Sequence, residues 1–433
     1  MYKSNSPALT TIDGQAIEVF PFWPNYRRDF IERWEWKTDI LTAYAGNEQR
    51  IQLRQHPRRS FEYEIFAQKV DRAAVENILW RSPLSIFAVP DWNNGIRLTA
   101  AMIPAPLPSS VLRHGSFGMT TSGGVVQSPG TSIRIGGTTL TTGSTTRSMF
   151  IAGGYVIAFM SPTEFELHEL VSITDTTITT KYPFTGRTPA MLYPALLGRL
   201  NLQQSLNRVT SHFTSAIVTF NLLVSESVYS GWPSTFPVYR DIPVMEVDFN
   251  WEQGVVLDTE FKAQLIDMQT NDPQRFIESQ VPLSTHQAHW FLNGGPAIVK
   301  FLKYLHGFAG RLGEFWAPTY TADAFPISVS GNNLEIQESG YANFVKLNSS
   351  RAHIRVVKTN GEILYRKILK AVLYKRTTEL LVLDTPLGIT ASEIKLISFM
   401  SLARFDQDRI ELAYKGPGFA TAQISIRTLI HDL

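Results

Sequence analysis

The sequence predicts a mainly β protein with a few short helices, an α+β chain. Tandem-duplicated modules, each a sheet with a covering helix, alternate with small β-barrel or β-sandwich domains. Three observations predict it. Segments such as Phe61-Glu62-Tyr63-Glu64-Ile65 alternate with the period of half-buried strands, and turn residues recur at short intervals. Apolar content is 44 % and aromatic content 12 %, which suits β-structure and substantial cores. The chain also says nearly the same thing twice. Phe61–Ile65, an amphipathic stretch over 71–81 and Phe87-Ala88-Val89-Pro90-Asp91-Trp92 are answered by Ala288-His289-Trp290-Phe291-Leu292, an amphipathic stretch over 296–307 and Phe315-Trp316-Ala317-Pro318-Thr319-Tyr320.

The first module is expected over residues 15–103. Ala45-Gly46-Asn47 marks a turn, Ile51 to Arg54 and Phe61 to Ile65 read as strands, and Ala74, Val75, Ile78 and Leu79 fall at helical spacing behind Asp71 as a candidate N-cap. Residues 104–148 turn to Pro, Gly, Ser and Thr, which reads as an insertion or projecting arm with a small hairpin at 132–140. A small β domain follows over 149–225. The second module is placed at 240–322, its helix opening at Pro296 and carrying Ile298, Phe301, Leu302 and Leu305 on one face. A second small β domain occupies 330–433. In both β domains Leu-x-Arg follows a proline, at Arg199 and Arg404, and an alternating strand closes each half. A chain of 433 residues suits two to four domains.

Forty basic and 38 acidic residues leave a net charge of +2, so bulk electrostatics gives no warrant for a nucleic-acid or membrane-surface partner. With no cysteine, disulfides, thiolate metal sites and a Cys nucleophile are excluded. No apolar run approaches the roughly 20 residues of a membrane helix, and residues 1–14 lack a basic-then-apolar leader pattern, so a soluble protein is expected.

Catalytic patterns are weak. His286-x-x-His289, with Asp272 and Glu278 nearby, is the one close histidine pair, and a polar strand is the stronger reading. Asp39 with Glu48, or Asp406 and Asp408 with Glu411, could serve a glycosidase, but nothing singles out an acid–base pair. There is no Gly-x-Ser-x-Gly elbow and no phosphate loop. The expectation is a non-enzyme without metal or cofactor.

At the paired landmarks the chain resembles a known family. Trp23, Trp34-Glu35-Trp36-Lys37-Thr38-Asp39, Gly46-Asn47-Glu48-Gln49-Arg50 and Arg54-x-x-Pro57-Arg58-Arg59 are similar to the entry of distal tail or baseplate hub proteins of long-tailed (siphovirus-type) bacteriophages. Gly310-Arg311 before Phe315-Trp316-x-Pro318, and Arg404-Phe405-x-x-Asp408-x-Ile410, resemble the companion patterns. The second copy departs by carrying Thr270-Asn271-Asp272-Pro273 where the first has Gly-x-Glu-Gln-Arg. The resemblance implies tail-hub modules in a structural virion protein of the tail tip, assembled in the host cytoplasm. It would form a ring that joins the tail tube to the baseplate or central fibre around the DNA channel. Its partners would be itself, the tail tube protein and baseplate or central-fibre proteins, with only non-specific proximity to DNA and no membrane insertion. A trimer with pseudo-sixfold symmetry is preferred and a hexamer comes next. Glu48, Arg50, Arg54, Arg58 and Arg59 are the candidate intersubunit contacts, and charge reversal of Arg58 and Arg59 is expected to leave the chain folded but hinder ring formation. A cell-wall or glycan-degrading tail enzyme and a carbohydrate-binding accessory module are the alternatives.

Overall fold

The computed structural model describes residues 3–4, 11–12, 15–43, 46–80, 84–97, 139–141, 150–174, 177–182, 190–223, 236–252, 254–269, 272–277, 282–344 and 351–430. Among them the protein is mainly β with large antiparallel sheets and three helices. The predicted insertion lies outside the described residues, apart from Thr139–Thr141, which pairs with a strand at Thr177–Thr180.

In the first half the strands are β1 (Gln15–Val19), β2 (Phe30–Glu35), β3 (Thr38–Thr42), β4 (Glu48–Gln52) and β5 (Arg58–Gln68). Helix α1 (Lys69–Leu79) follows, then β6 (Ile86–Pro90), β7 (Tyr155–Ser161), β8 (Glu164–Ile173), β9 (Thr177–Thr180), β10 (Met191–Leu200), β11 (Ser205–Thr210) and β12 (Phe213–Leu222). The second half has β13 (Leu257–Glu260), β14 (Ala263–Ile266), β15 (Gln274–Ile277), β16 (Leu283–Asn293), α2 (Gly295–Phe308) and β17 (Phe315–Pro318). It continues through β18 (Pro326–Ser330), β19 (Asn333–Gln337), a short helix α3 (Tyr341–Phe344), β20 (His353–Lys358), β21 (Ile363–Lys375), β22 (Thr378–Leu383), β23 (Ile394–Phe405), β24 (Arg409–Gly416) and β25 (Phe419–Thr428).

The pairing repeats between halves. β5 pairs β12 with Gln68 opposite Phe213, as β16 pairs β25 with Asn293 opposite Phe419. β6 pairs β10 with Phe87 opposite Gly198, as β17 pairs β23 with Phe315 opposite Ala403. Arg199 sits opposite Asn221 where Arg404 sits opposite Arg427. β2 flanks β5 and carries on into the hairpin β3–β4, just as β13 flanks β16 and carries on into β14–β15. The two Leu-x-Arg arginines therefore occupy equivalent strand positions.

The helices follow from their apolar stripes. On α1, Val75 is buried and Ala74, Ile78 and Leu79 pack beside it. The N-cap is Gln68, three residues before Asp71, because β5 runs directly into the helix. On α2, Ile298, Phe301, Leu302 and Leu305 are buried, with Pro at the first turn where its missing N–H matters least.

The predicted division of each half into a module and a separate β domain does not follow the sheet. β10 and β12, placed in the 149–225 domain, pair with β6 and β5 of the 15–103 module. One apolar cluster runs through both halves and includes Phe30, Trp34, Phe61, Phe87, Phe220, Trp290, Phe301, Phe315 and Phe405. Smaller cores lie apart from it, one of them around Val244, Trp316, Met400 and Leu402. In the first half Val156, Ala158, Leu170 and Ile178 form one, and in the second Leu334, Ile336, Ile354 and Leu381 form another. Sequence separation misleads here because antiparallel pairing recruits strands across long excursions.

The halves also join edge to edge. β2 pairs β24 antiparallel, with Trp34 opposite Ile410 and Arg33 opposite Glu411. The result is one run of eight strands, β11–β12–β5–β2–β24–β25–β16–β13, which passes from the first half into the second.

Candidate functional site

Four of the patterns that carry the family resemblance, at Thr38-Asp39, Gly46 to Arg50, Gly310-Arg311 and Arg404 to Asp408, are far apart in sequence and meet at this junction, whereas Trp23 packs on Trp92 inside the first half. The hairpin β3–β4 leaves the end of β2 and lies against the second half. Arg404 donates from Nε and Nη2 to the two oxygens of Glu48, at 2.7 and 2.9 Å, and from Nη1 to Asp406 at 2.7 Å. Arg404 is fully buried. Burial pushes the Glu48 carboxyl up, but the bidentate guanidinium outweighs this and holds it below its ordinary value. Arg50 donates to Glu314 at 2.5 Å and to the Leu312 carbonyl at 2.9 Å.

Asp408 is the second clasp. Its carboxylate accepts from the Thr38 N–H at 2.7 Å, the Thr38 hydroxyl at 3.1 Å and the Arg311 N–H at 2.9 Å. Its carbonyl accepts from the Trp36 N–H at 2.9 Å. Gly310 has φ +66°, and a Cβ there would stand 2.7 Å from Asp408 Oδ1 and 3.1 Å from Trp36 Cβ. Only glycine lets the end of α2 approach so closely. Gly46, at φ +93°, plays the same part at the hairpin turn, where a Cβ would meet Ile430 at 2.6 Å. The Thr-Asp, Gly-x-Glu-Gln-Arg, Gly-Arg and Arg-Phe-x-x-Asp patterns are thus the parts of one contact.

Beneath it lies a buried polar cluster that the sequence reading missed. Glu32 points inward from β2 and accepts from Arg59, from Trp34 Nε1 at 3.0 Å and from the Tyr414 hydroxyl of the second half at 2.8 Å. The Arg59 guanidinium also stacks over Trp34 at 4.3 Å. Asp91 lies in the same interior, where burial and the Glu32 charge push it up to about 7. The available signal was Glu32 alternating with Phe30 and Trp34, which placed it on the buried face of β2.

The five candidate intersubunit residues are therefore redistributed. Glu48 and Arg50 bridge the two halves of one chain. Arg54 bonds the Glu35 carbonyl at 2.7 Å within the first half. Arg59 is buried, since its side chain falls on the inner face of β5, so its charge reversal would set two acids together in the core instead of leaving the fold intact. Arg58, next in alternation, is exposed.

Of the other candidates, Glu278 lies outside the described residues. His286 and His289 lie on β16, and His286 is held down to about 4 by burial. No group of three or more His, Asp or Glu that could hold a metal occurs among the described residues. Of the proposed carboxylates, Glu48, Asp406 and Asp408 serve the junction, and Glu411 pairs with Arg33 and Arg409. No helix among the described residues is long and apolar enough to cross a membrane, which says nothing of strands. No protein-family model matches the chain. No curated protein matches it either.

Proposed function

We propose that the chain is a structural virion protein of a phage tail tip, forming a ring that joins the tail tube to the baseplate or central fibre around the DNA channel. The observation that carries this reading is the junction. Four of the patterns through which the chain resembles distal tail and baseplate hub proteins converge on the surface that joins two equivalent halves. A repeated half joined to its twin by a sheet edge is an arrangement that can continue around an axis. A trimer would present six similar halves to a sixfold tube, and this stoichiometry is preferred over a hexamer. Supporting it against a glycosidase, four of the candidate carboxylates are each held by an arginine or a backbone N–H.

A cleft of about 370 Å³ keeps the carbohydrate-binding reading in view, because Phe249 and a half-exposed Trp251 line it beside His286. Asp323, the carboxylate in its wall, is occupied by Thr319, Thr321 and the Phe399 N–H. Negative-stain imaging of the purified assembly tests the structural reading. Rings with a central opening, and a mass that is a multiple of three chains, are expected. Hydrolysis of peptidoglycan or surface glycan by a chain that stays monomeric would overturn it.

A further inference from the structure

Each half owns a projecting part and a receiving part, but inside one chain only one of each is used. The projecting part of the first half, β2 with hairpin β3–β4, sits on the receiving part of the second, formed by β24, the β23–β24 turn, the end of α2 and Arg404. This leaves the projecting part of the second half and the receiving part of the first at opposite ends of the eight-strand run. Among the described residues β13 pairs only with β16, and β11 only with β12.

Both remaining parts expose apolar side chains. Counting along the matched registers, Phe261 takes the place of Trp36, yet Phe261 is 57 % exposed and Trp36 only 3 %. Leu257 is 54 % exposed, and Leu265, Phe276 and Ile277 of the second hairpin are exposed with it. Arg275 stands at the place of Arg50. On the receiving side an open groove of about 550 Å³ runs along β11 between the end of α1 and the β10–β11 turn. Trp80 and Leu202 in its wall are 88 and 87 % exposed. Arg199, the counterpart of Arg404, has a buried Nε with no hydrogen-bond partner among the described residues.

We infer that a second copy of this chain covers the groove, docking head to tail. β13 of one copy pairs antiparallel with β11 of the next, and the β14–β15 hairpin lies along the groove against Trp80 and Leu202. The register is copied from the junction within the chain. Leu412 opposite Glu32 becomes Leu206 opposite Leu257, and Glu411 opposite Arg33 becomes Ser205 opposite Asp258. Glu48 is replaced by Pro273, so this contact relies on apolar burial more than on the bidentate ion pair. Such a heterologous contact continues until the rotation closes a ring. The inference rests on the ring reading only for that closure.

The chain has no cysteine, so an engineered pair reports the contact without background. Facing residues on paired strands have Cα atoms about 4.5–5.5 Å apart, within disulfide reach. The full chain carrying Leu206→Cys and Leu257→Cys, oxidised mildly, should give a ladder of cross-linked chains ending at one closed species, and either single variant should give none. Trp80→Glu, at an exposed position, should reduce the assembly at least tenfold while leaving the melting temperature of the chain within a degree or two. A multimer of the double-cysteine variant whose chains fail to cross-link on oxidation would overturn this contact and leave the ring reading standing. A chain that stays monomeric at millimolar concentration would overturn both.

Discussion

Arg59 shows how one side chain can be placed in the wrong class by its neighbours in sequence. In the run Pro57-Arg58-Arg59 it reads as surface charge, but alternation along β5 turns it inward onto Glu32. Removing a partner from a buried pair strands the other charge, at about 3–5 kcal/mol. Arg59→Ala should therefore lower the unfolding free energy in urea by about that amount, and Arg58→Ala by less than about 0.5 kcal/mol. Two other buried groups set opposing pH responses. His286 is held neutral, its value falling from 6.5 to about 4, so the folded state loses stability as pH drops from 6.5 towards 4, by about 3 kcal/mol when complete. Asp91 is raised to about 7 from 3.8, so its contribution is full at low pH and is lost as pH rises through that window. The melting temperature at pH 7 minus that at pH 4.5 should fall in His286→Leu and rise in Asp91→Asn, each relative to the unsubstituted chain.

The element that decides the architecture is the hairpin β3–β4. Its strands form by local turn chemistry at Gly46, but its position is imposed by Arg404 and Asp408, more than 350 residues away. Hydrogen exchange should report that dependence. Arg404→Ala should speed exchange over 38–42 and 48–52 at least tenfold while leaving β20 and β21 unchanged. In a double-mutant cycle with Glu48→Ala the coupling should reach about 2–3 kcal/mol, the range of contacting charged groups. Gly310→Ala brings both a positive φ and a Cβ 2.7 Å from Asp408, so a loss of at least about 1–2 kcal/mol is expected in thermal unfolding.

Across the whole molecule, the two halves share one core and one sheet, so they should not unfold separately. Peptides from β12 in the first half and β25 in the second should lose protection at the same urea concentration, as members of one cooperative unit. The small core under β19 and β22 is distinct and can open first. Two separate transitions for β12 and β25 would contradict a shared sheet. In the proposed ring the same continuity would make each chain a segment of a larger closed sheet, with β11 and β13 at its ends.

The β character, the apolar faces of α1 and α2 and the repetition of landmarks were legible in the sequence, because periodicity and turn residues act over a few residues. So was the equivalence of Arg199 and Arg404, which followed from their place after a proline in each half. The meeting of Glu48 with Arg404, the burial of Arg59 on Glu32 and the joining of β2 to β24 were not. The sequence by itself determined which segments become strands and that the pattern occurs twice. The tertiary structure alone decided which edges pair, because backbone hydrogen-bonding groups at a strand edge are chemically alike, and the choice falls to packing and buried charge from distant parts of the chain.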